Sequence, residues 1–374
     1  MADKQLIGKI KRLIDVLNKD RNNYVASFAY GSVVFPQKGR TTSNSLIDLI
    51  IIAHDPVEWH LKNISENPNH YNNFLRSFSK AYQSSYFKMF LCQAPGPKVY
   101  YNPFIEWNDP LDNNTKVSFK YGVVGIKNIL SDLSTWSHLY IAGRLQKPVL
   151  WISDDSKLLS SSQSCYAEQL HTLQSKNLLA SMSYAILSNY PKHFPISEYD
   201  LYCSISSISY NGDWRMIIGE DRQKIKRLVY GDSRLGEFRS LYRNALNSLE
   251  SYGFSIQTQS KSSPSERESS YCLVCSNENA DIIPHLLTHI PDHICLLSVK
   301  DIHPIDNPTK ARECLANLSY TERSQRLSNT VSSIVRWSSL YQTGLGLISA
   351  GPKRSLQYAF AKLTKMFSSL EGNK

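Results

Sequence analysis

The chain has 374 residues, 41% of them hydrophobic and 20% charged, which excludes a disordered chain and leaves length for two domains with their own cores. Its longest apolar run, "LIDLIIIA" at 46–53, is far short of the roughly 18–20 residues a bilayer-spanning helix needs, so a membrane span is not expected. The net charge of +10 sits at the ends: residues 1–21 carry six Lys/Arg against three Asp, and residues 353–374 carry five against one, so the body is near neutral and argues against a nucleic-acid groove.

In chain order, Leu6, Ile7, Ile10, Leu13, Ile14 and Leu17 recur at helical spacing and predict an opening amphipathic helix. Its three acidic residues suit a structural helix better than a transit peptide, any import signal being already removed or lost upstream. Strands follow at 24–29 and 46–53. At "HDPVEWH" Asp55 is placed as an N-cap with Pro56 at the first helical position. A helix near 70–85, strands near 98–106 and 115–123, and helices over 124–142 complete a mixed α/β domain spanning 1–150. The serine-rich "SDDSKLLSSSQS" marks the boundary.

A mainly helical domain is expected over 151–330, with helices at 166–190, 197–208, 220–231 and 234–252, interrupted by "TQSKSSPSERESS" as a mobile loop. The segment 331–374 ends in a helix with Leu356, Phe360, Leu363, Phe367 and Leu370 on one face and Arg354, Lys362 and Lys365 on the other. Such a helix suits an anionic membrane surface, with Lys353, Arg354, Phe360, Lys362 and Phe367 as contacts; a terminal helix docked on the core is the alternative. The seven cysteines include one C-x-x-C, Cys272 and Cys275, with no second pair behind it, and read as reduced thiols. His60, His70 and His193 form no metal-binding spacing.

The chemistry starts at "ASFAYGSVVFPQ", residues 26–37, where an apolar strand runs into Gly31 and Ser32. A strand followed by Gly-Ser offers backbone N–H groups and a hydroxyl to a phosphate, because glycine has no Cβ to hold the ligand away. Alone, such a pair is ordinarily a tight turn. The next strand adds Asp48 inside an otherwise apolar run, where a carboxylate is costly unless paired or metal-bound. A strand, Gly-Ser, a gap and an acidic strand is the plan of the nucleotidyltransferase fold, in which carboxylates hold Mg²⁺ against a triphosphate. That fold usually has a second acid two residues on; here the position is Ile50, and Asp55 is the nearest substitute, at the cost of a bulge or turn.

The blocks "YGSVVFPQ", "IDLIIIAHDPVEWH", "NPNHYNNFL", "KYGVVG", "LYIAGRLQKPV" and "YNGDWRMIIGED", in this order over about 25–230, resemble the mitochondrial translocator assembly and maintenance protein family, the matrix-side phosphatidate cytidylyltransferases that make CDP-diacylglycerol. Beyond 250 the resemblance rests on "SSIVRWSSLYQTGLG". Family members commonly have Asp-Asp before the proline where this chain has His54-Asp55. The resemblance implies a nucleotidyltransferase domain followed by a winged-helix-like domain, with the active site in the cleft between them. It implies CTP and phosphatidic acid as substrates, Mg²⁺ as cofactor, and a peripheral position on the matrix side of the mitochondrial inner membrane.

Within the matching blocks, Asp48 and Asp55 are expected as metal ligands, with Lys120 and Arg144 joining them in catalysis. Tyr30, Gly31, Ser32, Lys147, Asp213 and Arg215 are expected at the nucleotide; Glu220 and Asp221 are reserve acids, better explained as helix caps. Two other readings fit the same residues: a nucleotidyltransferase with a hydroxyl acceptor, RNA or a small molecule, or a non-catalytic membrane-associated factor that maintains a translocase.

Overall fold

In a computed structural model the protein is a mixed α/β chain with two sheets and many helices. The structure describes residues 4–18, 22–36, 46–72, 96–112, 115–152, 163–218, 223–258, 271–276, 282–302 and 306–371, with side chains through residue 347 in the last stretch. Two compact units form: Met1–Leu130 with Val149–Gln169 and Leu340–Lys374, and Ser131–Pro148 with Leu170–Ser339.

The first unit is built on a five-stranded sheet in the order β3-β4-β2-β1-β5, made of β1 (Tyr24–Tyr30), β2 (Ile47–Ala53), β3 (Val99–Asp109), β4 (Thr115–Gly125) and β5 (Leu150–Trp151). β2 is central, as its run of Ile and Leu predicts, and pairs antiparallel with β1 and parallel with β4. Side chains alternate across a strand, so Ile47, Leu49, Ile51 and Ala53 face one side and Asp48, Ile50 and Ile52 the other. The first face carries the main core, with Phe119, Tyr121 and Val123 of β4 and Ile10, Leu13, Ile14 and Leu17 of α1 (Lys4–Leu17). Arg12 holds α1 to the β3–β4 hairpin by two bonds to the buried Asp109, from Nε at 3.0 Å and Nη2 at 2.5 Å.

Helix α2 (Pro56–Glu66) begins where the sequence predicts, with Asp55 as N-cap accepting from Val57 N and Glu58 N. It lays Trp59, His60, Asn63 and Ile64 inward. His60 is buried with its Nδ1 2.8 Å from the Tyr71 hydroxyl, and burial pushes its pKa down to about 3. A histidine held neutral when folded but free to protonate near 6.5 when unfolded contributes stability that is complete above about pH 6.5 and falls, by about 1.4 kcal/mol per unit, as pH drops toward 3. His289 and His293, also lowered by burial, add in the same direction. Urea midpoints should therefore decline from pH 6.5 to 5, and His60→Gln, though less stable, should show a shallower decline.

The second unit is largely helical, with α3 (Ile126–Thr135) leading into it from the first. Then come α4 (Ile141–Leu145), α5 (Gln163–Asn189, from Leu170 on), α6 (Glu198–Ser207), α7 (Arg215–Ile218), α8 (Lys224–Val229), α9 (Asp232–Glu250), α10 (Ile282–His289), α11 (Asp292–Val299), α12 (Pro308–Asn317) and α13 (Tyr320–Glu371), which belongs to the second unit as far as Ser339 and to the first from Leu340. It also contains a three-stranded antiparallel sheet, β6-β8-β7, from β6 (Ile196–Ser197), β7 (Phe254–Thr258) and β8 (Tyr271–Cys275), which the sequence reading did not anticipate. The helices expected over 124–142 are α3 and α4. They are separated at Trp136–Tyr140, where Trp136 and Leu139 adopt φ of 55° and 50°.

The expected boundary at "SDDSKLLSSSQS", most of the helix near 70–85, the "TQSKSSPSERESS" loop, and Glu220 and Asp221 lie outside the described residues. Among the described residues no single helix is long and apolar enough to cross a membrane.

Candidate active site

Sheet register assembles the first group of candidates. Tyr30 at the end of β1 lies opposite Asp48, and Asp48 lies opposite Lys120 of β4, so three adjacent strands present one row at the rim of the sheet. Gly31 follows with φ +88°, a conformation that L side chains rarely adopt, and its carbonyl accepts from Phe35 N at 3.0 Å to close the turn containing Ser32. The Asp48 carboxylate points at this turn: a Cβ built on Gly31 would lie 2.9 Å from Asp48 Oδ2. Asp48 is 29% exposed rather than buried, because it stands one residue inside the end of β2. Its environment is therefore an open rim, where a ligand can reach it.

Lys120 completes the row. Its Nζ is 3.8 Å from Asp48 Oδ1 and 4.3 Å from the centre of the Tyr101 ring. The glycine of "KYGVVG" makes this possible, since a Cβ on Gly122 would fall 2.6 Å from Tyr101 Cε1. Tyr101 was not singled out by the sequence; the signal was the glycine two residues after Lys120, which marks a close approach within a strand. Gly31→Ala should lower activity at least tenfold with a stability loss of about 1–2 kcal/mol, since it adds both a disfavoured φ and a collision with Asp48. Parallel assays of turnover and denaturant midpoint check this.

Asp55 does not join the row. The five steps from Asp48 to Ala53 already span about 17 Å of strand, and Asp55 lies beyond them beside the start of β1, its backbone N donating to Asn23 Oδ1 at 2.7 Å. Its Oδ1 is engaged by the first turn of α2. One ion cannot touch both carboxylates, so Asp55 is a helix cap and the expectation of a shared metal is corrected. His54 beside it packs its ring edge-on against Tyr166 at 5.5 Å.

The other candidates belong to the second unit. Arg144 lies on α4, partly exposed. Lys147, two residues past that helix, is only 2% exposed. Its ammonium donates to the Gly143 carbonyl and to Ser209 Oγ (2.7 Å) and lies 5.1 Å from the Tyr210 ring centre. Burial first, then Arg144 and Lys224, push its pKa well below the ordinary lysine value. Lys147 is thus a strut tying α4 to Ser209, and not the nucleotide-facing cation expected.

Asp213 and Arg215 are brought together, but on each other. Arg215 Nε and Nη2 donate to the buried Asp213 carboxylate at 2.9 and 2.6 Å, and Arg215 N donates to its Oδ1 at 3.0 Å, so this acid is spent on starting α7. The side chains of Lys353, Arg354, Phe360, Lys362 and Phe367 lie outside the described residues, although α13 carries their backbone.

Asp132 also escaped the sequence reading. Its buried carboxylate accepts from five consecutive backbone N–H groups, His138 to Ala142, at 2.9–3.1 Å. Such a role leaves no spacing pattern to detect. Among the described residues no group of three or more His, Cys, Asp and Glu is placed to hold a metal.

The family profile described as "Phosphatidate cytidylyltransferase, mitochondrial" matches residues 11–365. The chain belongs to this family. Similar curated relatives are the proteins named phosphatidate cytidylyltransferase, mitochondrial, of Mus musculus, 32% identical over 91% of this chain and 90% of the relative, and of Xenopus laevis, 32% identical over 93% and 92%. The protein of the same name from Schizosaccharomyces pombe is 31% identical over 95% of this chain and 83% of its own. The match to the phosphatidate cytidylyltransferase family thus takes in the Gly31 turn, Asp48 and Lys120 as well as the second unit.

Proposed function

We propose that this chain is a phosphatidate cytidylyltransferase, transferring CMP from CTP to phosphatidic acid to give CDP-diacylglycerol and pyrophosphate. The observation that carries the reading is the carboxylate of Asp48 aimed at the positive-φ Gly31 turn with Lys120 beside it, in a member of this family. The five-stranded sheet is taken as a nucleotidyltransferase-type sheet, and the helices with a small antiparallel sheet as a winged-helix-like unit.

The chemistry asks little of proton transfer. A phosphate monoester has a second pKa near 6 and is mostly dianionic at neutral pH, so its oxygen attacks the α-phosphorus without a general base. The new P–O bond forms as the bond between the α-phosphorus and the bridging oxygen breaks, and pyrophosphate leaves with the electron pair. The difficulty is bringing two anions together, which requires positive charge and in-line positioning.

Asp48 fits Mg²⁺: it is a hard oxygen donor, reachable from solvent, beside a turn suited to phosphate, and magnesium commonly takes one or two carboxylates with phosphate oxygens supplying the rest. When bound, the ion would supply charge neutralisation at the phosphates. Gly31 and Ser32 would hold the triphosphate by the turn, Tyr30 would flank it, and Lys120 would add a cation on the other side of Asp48. We place the enzyme peripherally on the matrix face of the mitochondrial inner membrane, held through the basic terminal part of α13. Incubating purified protein with labelled CTP, phosphatidic acid and Mg²⁺ tests the reading: label should become lipid-extractable as CDP-diacylglycerol, and its failure to do so would refute the assignment.

A further inference from the structure

The ammonium of Lys120 is held between two groups of unlike kind. Asp48 Oδ1 lies 3.8 Å away, too far for a hydrogen bond, and the centre of the Tyr101 ring lies at 4.3 Å, within range of a cation–π contact. The sheet dictates this arrangement. Tyr101 of β3 pairs with Gly122 of β4, and Lys120 stands two residues before that glycine, on the same face. Because Gly122 has no side chain, the ring lies down over the strand and reaches Lys120 on the diagonal; a Cβ there would meet Tyr101 Cε1 at 2.6 Å and Cδ1 at 2.9 Å. A register shift in β3 between Asn102 and Ile105 falls opposite Lys120. Tyr101 is 9% exposed, so its ring is fixed by its surroundings, whereas the side chains of Lys120 and Asp48 are 33% and 29% exposed. An ion pair at that exposure is weak, and a ring face attracts an ammonium about as well.

We propose that Tyr101 is a positioning residue: its ring face holds the Lys120 ammonium off the Asp48 carboxylate, which keeps that carboxylate open to a divalent cation and the ammonium available to a phosphate. The proposal deepens the reading of Asp48 as a magnesium ligand and rests on it. A lysine closed on Asp48 would compete with the cation for the same oxygens, and the two positive charges would repel each other. With the ring in place, the ammonium has an uncharged seat that does not draw on the carboxylate.

The test follows binding of labelled CTP to the full chain by equilibrium dialysis while Mg²⁺ is varied. Tyr101→Leu should raise the Mg²⁺ concentration at half-maximal binding by about fivefold, and excess Mg²⁺ should restore the wild-type plateau. Tyr101→Phe, which keeps the ring face, should stay within about twofold of wild type. Gly122→Ala, which drives a methyl into the ring, should shift the midpoint in the same direction as Tyr101→Leu. In Lys120→Gln there is no ammonium to hold, so adding Tyr101→Leu to it should leave the midpoint where it was. An unchanged midpoint in both Tyr101→Leu and Gly122→Ala would overturn the proposal. A Tyr101→Leu loss that excess Mg²⁺ does not restore, an equal shift in Tyr101→Phe, or the same shift in the Lys120→Gln background would also overturn it, assigning the ring to packing alone. The magnesium reading fails by a different result, and takes this proposal with it: wild-type CTP binding that is equal with and without Mg²⁺, or a Mg²⁺ dependence that survives Asp48→Asn unchanged.

Discussion

Asp48→Asn is expected to reduce CDP-diacylglycerol formation by a factor on the order of 10³ or more while leaving the fold intact. The separation of the two effects follows from geometry. Asp48 is about a third exposed, and its approach to Lys120 at 3.8 Å is a loose surface pair, worth under about 1 kcal/mol, so removing its charge costs the fold little. The same charge faces the turn where phosphates would lie, and asparagine offers a metal only a weak, neutral oxygen. Asp55→Asn is the contrasting variant: it should cost about 1 kcal/mol or less through a weakened cap and leave turnover within a few-fold. If Asp48→Asn keeps more than a tenth of wild-type turnover, or if Asp55→Asn proves the more damaging to chemistry, the site has been placed at the wrong carboxylate.

Asp132→Ala should be the most destabilising single change in the second unit, lowering unfolding free energy by about 3–5 kcal/mol. Five N–H groups converge on this one carboxylate, and the residues between α3 and α4 include two with positive φ, Trp136 and Leu139, which no glycine relieves. The carboxylate offsets that backbone strain. Without it, donors at His138 to Ala142 are left against a cavity from which water is largely excluded. Asp132→Asn should be little better, since its amide group can only face further donors. Activity should fall with the midpoint, because α4, which carries Arg144, begins at those N–H groups. A shift in the urea midpoint corresponding to less than 1 kcal/mol would show that the loop holds its shape by other means.

Much of the first unit was legible from residues alone. The central strand declared itself by an unbroken Ile/Leu run, and Asp48 by interrupting it; the turn was marked by Gly31, and α2 by Asp55 and Pro56. What misled was reading Asp55 as a second ligand, because separation along a chain gives no warning that strand rise carries a residue to the other end of a sheet. The sheet of the second unit was missed for a different reason: β6 has two residues, and β7 and β8 are too short, five each, to show alternation against their helical surroundings. Asp213 and Arg215 were both recognised as polar residues in a matching block, but only coordinates reveal that each satisfies the other. Lys147 shows the same limit, since nothing in "GRLQKP" says that the ammonium turns inward.

The chain enters the first unit three times, returning at Val149 and again at Leu340. On the last visit Gln342 donates to the Val99 carbonyl at the start of β3, and the Tyr341 ring occupies the space beside Gly96 that a side chain there would need. No single cut therefore yields this unit whole. A fragment ending near residue 150 would expose the start of β3 that Gln342, 243 positions downstream of Val99, ordinarily helps cover, and proteolytic dissection should return aggregates or an intact polypeptide sooner than a soluble half.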